Sequence, residues 1–196
     1  MTPVPNRRAQ QKEATRERVF LTAMELFQEH GYEAINIDKI VRAANVARGT
    51  FYFHFPSKDD VLLEAVRRAE ASTATRMCES RGGTIRDSLT ATTAGFAEAW
   101  QQRRELLMHA SAVALRRIAA VEQEREEEPL RLELVVHVDA AVARGEIRSD
   151  LPSQMLADMF LLNVFGALMG WAATGEHDLQ LVMGAVIDLF LRGAQG

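Results

Sequence analysis

From Glu13 to His30 the apolar residues Val19, Phe20, Ala23, Met24 and Phe27 recur three and four apart, the spacing of one helix face. Gly31 follows and predicts the stop, because glycine takes the left-handed conformation a helix end needs. A second helix is predicted from Asn36, a good N-cap, with Asp38 in its first turn and Ile37, Ile40, Val41 and Ala44 as its apolar stripe. Asn45 then stands where the chain must turn, and a third short helix runs from about Ala47 to Phe53. Two short helices joined by a tight turn form a helix-turn-helix. Phe51 and Phe55, four apart, are expected to face the core. Arg48, Thr50, Tyr52 and His54 are expected on or near the exposed side. Ser57 and Asp60 read as a capping box opening a long helix with Val61, Leu62, Ala65, Val66 and Ala69 on one face.

The remainder also reads as helices. Arg81-Gly82-Gly83 is a predicted turn, Ile85 to Trp100 is amphipathic, and one or two helices follow from about Arg103 to Ala120. Glu122 to Glu128 is acidic and precedes Pro129, the pattern of a solvated helix start. Leu130 to Leu134 alternates like a strand, but Val138 and Ala141 continue at helical spacing, so a helix ending at Gly145 is predicted. Met159 to Gly175 carries no charge over seventeen residues and reads as a buried helix, with Asn163 and Thr174 interrupting what is a short length for a membrane span. Leu179, Val182, Met183, Val186, Leu189 and Phe190 form the apolar face of a last helix.

Composition adds one point that the pattern lacks. The 196 residues carry a net charge of −4, which by itself argues against a nucleic-acid partner. Residues 1–58, however, hold nine Lys/Arg against six Asp/Glu, a net of +3, while residues 59–196 carry −7. Seven of the thirteen aromatic residues also fall in the first segment. The expected layout is a flexible basic tail over 1–12, a compact positive helix-turn-helix unit over 13–58, and a larger acidic helical domain over 59–196. The exposed hydroxyls, guanidinium and imidazole of the third helix, with the nearby ammonium of Lys58, suit phosphate and base-edge contacts.

The run Gly31-Tyr32, Ile37-Asp38-Lys39-Ile40 and Val46-Ala47-Arg48-Gly49-Thr50-Phe51-Tyr52-Phe53-His54-Phe55-Pro56-Ser57-Lys58 resembles the DNA-binding domain of the tetracycline-repressor (TetR) family, over about residues 13–66. The resemblance implies an all-α homodimeric transcription regulator: an N-terminal three-helix DNA-binding domain, then a larger helical ligand-binding and dimerisation domain. It implies DNA contacts by Arg48, Gly49, Thr50, Tyr52, His54 and Lys58, with Asn36 at the helix-start position that often touches phosphate. Two positions depart from the family pattern: Asn45 replaces the usual Gly, and Phe53 occupies a position that is often polar.

For the larger domain the sequence offers candidates only. Phe96, Trp100, Met108, His109, His137, Phe160, Asn163 and Trp171 are the candidate lining of a pocket for a small hydrophobic or aromatic effector, with His109, His137 and Asn163 as its polar groups. Met159, Gly166, Gly170, Val182, Val186 and Leu189 are the candidate dimer interface, two helices from each chain forming a four-helix contact. Gly166 and Gly170, four apart, leave a flat stripe for close approach.

The expected function is a ligand-responsive repressor that binds a palindromic operator as a homodimer. An activator or ligand-independent regulator on the same scaffold is the alternative, and a helical carrier or enzyme the reading from another class. Histidines 30, 54, 109, 137 and 177 are scattered, and no HExxH pair, phosphate-binding glycine loop or nucleophile elbow is present. No catalytic residue, metal or cofactor is therefore expected. A lone Cys78 excludes an intramolecular disulfide and a cysteine-based zinc site, and the N-terminus lacks an apolar run. Both point to the cytoplasm, with no membrane partner.

Overall fold

A computed structural model describes residues 7–79, 82–118, 129–148 and 150–194. Their regular structure is helical: α1 (Arg7–His30), α2 (Ile37–Ala43), α3 (Arg48–His54), α4 (Lys58–Glu79), α5 (Ile85–Trp100), α6 (Arg104–Ile118), α7 (Pro129–Ala143), α8 (Ser153–Thr174) and α9 (Leu179–Ala194). Two compact units result, Met1–Ala65 and Val66–Gly196.

The first unit is organised around aromatic rings. Phe27, Phe51 and Phe55 are almost fully buried, and Phe27 meets Tyr32 edge to face at 5.0 Å. Each buried phenyl contributes on the order of 1.5–3 kcal/mol. A seven-residue helix such as α3 cannot persist on its own. It is held here because Phe51 and Phe55, four apart, both reach this core. Helix α1 begins at Arg7, so residues 7–12 are helix where a flexible tail through residue 12 was expected. Apolar periodicity marks only the part of a helix that is buried. The run Arg7 to Lys12 is exposed, and its Arg, Ala, Gln and Lys residues are strong helix formers. The chain divides at Ala65 rather than after Lys58. The first two turns of α4 bury Val61 and Leu62, and Glu64 accepts from the Arg16 guanidinium of α1 at 2.9 Å.

In the second unit α8 packs on α6, α7 and α9, while α5 packs on α6, α7 and α9. Met77, Leu89, Leu134, Phe160 and Val164 lie in its core. Helix α5 is capped by a full box between Thr84 and Asp87. The acidic run 122–128, Ala119, Ala120 and Arg81 of the predicted turn lie outside the described residues.

Helix α8 corrects one expectation. It is longer than predicted, at 22 residues, and it is not buried all round. Ala157, Phe160, Val164 and Leu168 face the core, but Met155, Met159 and Leu162 are 48%, 43% and 69% exposed. An uncharged sequence looks the same whether its second face meets protein in the same chain or in another. Length and composition would also let α8 cross a membrane, as they would a core helix.

Candidate nucleic-acid interface

Asn36 caps α2, its Oδ1 accepting from the Lys39 amide at 3.0 Å. After α2 the Ala44 and Val46 amides donate to Ile40 and Val41 carbonyls, and between them Asn45 turns the chain with φ +52°. Asparagine tolerates this left-handed conformation better than other residues with a side chain. Helix α3 starts three residues later.

On a helix advancing 100° per residue, Gly49 and Phe53 lie almost opposite the buried Phe51, with Arg48 and Tyr52 on one flank and Thr50 and His54 on the other. Accessibility agrees: Tyr52 is 42% and Phe53 68% exposed, Arg48 and Gly49 are exposed, and Thr50 and His54 are half-buried. The five polar or small positions expected on one surface of α3 are thus brought together, with a phenyl ring at the centre.

The polar groups are already organised. Arg48 donates to Asp38 of α2 at 2.9 Å and to the Tyr52 hydroxyl at 3.4 Å. The Tyr52 contact first, then Asp38, holds this guanidinium above its already high pKa, so it stays charged. An exposed pair of this kind contributes little to stability, so a phosphate can displace the carboxylate at small cost. The His54 imidazole is pushed below its ordinary pKa, first by partial burial and then by the cations of Lys12 and Arg16, against the opposing effect of Glu13. Both effects favour the neutral imidazole, a donor and acceptor rather than a charge.

Lys58 stands differently. Its ammonium donates to the Tyr32 carbonyl at 2.8 Å and the Ile35 carbonyl at 3.0 Å, and lies 3.9 Å from the Tyr32 ring centroid. Lys12 was missed, having been placed in the tail; its ammonium sits over the Phe53 ring at 4.8 Å. The signal was the four-residue step from Lys12 to Arg16, whose guanidinium lies over Phe55 at 5.1 Å.

The candidate effector residues are not equivalent. Trp100, His137 and Phe160 are buried; Phe96, Met108, His109 and Trp171 are half-buried. Asn163 is exposed and bonds back to the Met159 carbonyl of its own helix at 2.7 Å, on the outward side of α8. It thus stands apart from the buried candidates, since a polar residue amid an apolar run marks the solvent side as readily as an interior site. His137 sits among Ser88, 2.6 Å from Nδ1, and Glu133, 3.3 Å from Nε2, two neighbours that the sequence reading did not select. Among the interface candidates, Met159, Gly166, Gly170 and Leu189 are exposed, Leu189 by 70%, whereas Val182 and Val186 are half-buried. Leu162 and Leu181, 69% and 68% exposed, join that outward apolar surface. An open groove of about 550 Å³ lies elsewhere, in the first unit, lined in part by His30, Lys39 and Arg42.

Comparison with known proteins matches residues 20–65 to the family described as bacterial regulatory proteins, tetR family. The transcriptional regulator EthR of Mycolicibacterium smegmatis is 38% identical over 66 residues, 33% of this chain and 30% of EthR. The likeness to relatives at 32% identity or more spans less than a third of their length. The transcriptional repressor AcnR of Corynebacterium glutamicum is 25% identical over 185 residues, 88% of this chain and 92% of AcnR. Among solved structures, Thermus thermophilus FadR, a TetR-family repressor in complex with lauroyl-CoA, matches with a TM-score of 0.72 and 25% identity, covering 91% of this chain and 94% of FadR.

Proposed function

The chain belongs to the TetR family of bacterial regulatory proteins, and from that premise we propose that it is a ligand-responsive repressor binding a palindromic operator as a homodimer. The observation that carries this reading is the outward face of α3. A short helix anchored through Phe51 and Phe55 turns Arg48, Gly49, Thr50, Tyr52 and, at its edge, His54 away from the core, and Arg48 is held by Asp38 in the first turn of α2, the helix that Asn36 caps. Guanidinium, hydroxyl and imidazole groups on a rigid element are what base edges and phosphates require.

A second chain is needed to cover the apolar surface of α8 and α9, where Met159, Leu162, Leu181 and Leu189 stand exposed beside Gly166 and Gly170. Patches of this kind mark interfaces. A two-fold dimer presents two α3 helices to successive major grooves, about 34–36 Å apart or a multiple of it. The effector is taken by the helical body and is hydrophobic; fatty acyl-CoA thioesters are the first class to try, because FadR binds lauroyl-CoA. The relatives are transcription regulators, and the chain is read as one rather than as an enzyme. The site of action is the cytoplasm.

Footprinting on the DNA flanking its own gene tests the reading. A protected inverted repeat, released by lauroyl-CoA or another member of an acyl-CoA panel, is the expected result. Absence of protection at any site sinks the DNA-binding reading; protection that no acyl-CoA relieves removes that effector class.

A further inference from the structure

Phe53 stands in the middle of the outward face of α3, 68% exposed, where no apolar core rewards a phenyl ring. Two neighbours hold it: the His54 ring edge to face at 5.1 Å, and the Lys12 ammonium 4.8 Å from its centroid. Lys12 belongs to α1, and one turn further along Arg16 repeats the arrangement over Phe55 at 5.1 Å. The two cations differ in what balances them. Phe55 is buried and Arg16 reaches the Glu64 carboxylate at 2.7 Å, so the inner cation is neutralised within the unit. Lys12 is exposed, and among the described residues no carboxylate pairs with it. A ring face attracts a cation through its quadrupole but carries no net charge. The Lys12 ammonium is therefore held in place with its positive charge and its N–H donors still to be used. Its place is beside the C-terminal half of α3, close enough to act on the His54 imidazole. A helix seated in a major groove has phosphate strands along both its flanks, and a cation fixed beside it meets one of them.

We infer that Lys12 of α1 contacts a phosphate of the operator, and that Phe53 is the positioning residue that holds it there. The inference rests on the DNA-binding reading and extends the interface from the helix-turn-helix to α1. It also gives the exposed ring of α3 a task that requires no base.

Salt dependence reads the contact. A lysine that neutralises a phosphate releases counterions, and its loss flattens the plot of log affinity against log salt by about 0.9 for each copy on the duplex. With lines that converge near 1 M salt, this amounts to about eightfold weaker binding per copy at 0.1 M. The test uses full-length protein and a duplex obtained by in vitro selection from a random library with wild type. Lys12→Gln is expected to give that flatter line with helical content and melting temperature unchanged, because the side chain is exposed. Lys12→Arg keeps the charge and is expected to restore the wild-type slope. Phe53→Leu removes the ring, and in that background the loss from Lys12→Gln is expected to shrink to about threefold or less per copy, as coupled residues do. Phe53→Tyr keeps the ring face and is expected to keep the full loss. A Lys12→Gln line parallel to wild type overturns the phosphate contact. Losses from Lys12→Gln and Phe53→Leu that simply add overturn the positioning role of Phe53. Both results leave the DNA-binding reading intact, whereas a wild type that selects no duplex overturns that reading and this inference with it.

Discussion

At Asn45 the backbone adopts φ +52° in the turn of the helix-turn-helix, a conformation most side chains resist. Replacing it with alanine keeps the steric cost and removes the amide that makes asparagine tolerable there. Asn45→Ala is expected to destabilise the first unit by about 1 kcal/mol, while Asn45→Gly is expected to match wild type or better. Thermal unfolding of the three proteins checks the order. His54 gives a pH-dependent case. Its folded pKa lies below the unfolded value of about 6.5, so the folded state binds the proton less well. The stability it confers is complete above that value and is lost as pH falls through the depressed folded pKa. Acidification from pH 7.5 to 5.5 is expected to lower the melting temperature of wild type more than that of His54→Gln. Equal losses would assign the acid sensitivity to other groups.

The elements are positioned by a few close contacts that their sequences do not announce. Helix α5 approaches Thr73 of α4 so closely at Gly95 that an added Cβ would fall 2.3 Å from the threonine hydroxyl and 3.0 Å from its Cβ. Thr73 is fully buried, and its hydroxyl is already committed to the Ala69 carbonyl at 2.7 Å, so the helices must part. Gly95→Ala is expected to cost about 1–3 kcal/mol, as overpacking does. Adding Thr73→Ala is expected to recover part of the loss in denaturant titration, and an independent, additive pair would refute the contact as its cause. Elsewhere a side chain closes an element. The C-terminal carbonyls of α8 at Ala172 and Ala173 accept from the Arg104 guanidinium of α6 at 2.6 and 3.1 Å, which ties two helices of the second unit where the backbone leaves acceptors open.

For the whole molecule the decisive surface is the one a single chain leaves bare. Gly170 is exposed with open space above it, so a new side chain there meets nothing within its own chain. Gly170→Asp is therefore expected to keep its helical content yet run as a monomer in light scattering, and to lose operator affinity through the lost second α3. A variant still dimeric would place the interface elsewhere. The charge division acts at this scale too. In the proposed dimer the +3 of residues 1–58 would count twice, while the −7 of residues 59–196 would be repelled by the DNA backbone.

The sequence by itself determined the helical class, the turn at Asn45, the inward Phe51 and Phe55 and the outward polar set of α3. Each follows from local rules: apolar spacing, capping chemistry and the conformations a residue permits. The early start of α1 escaped because an exposed helix has no apolar rhythm. Only the tertiary structure decided that Lys58 points into the 32–35 segment, that Asn163 faces outward, and that α8 is covered on one face alone. A lysine can reach several acceptors, and an apolar helix can meet protein on either side. Which of these occurs depends on residues far away in the chain, and that information exists only once the helices have packed.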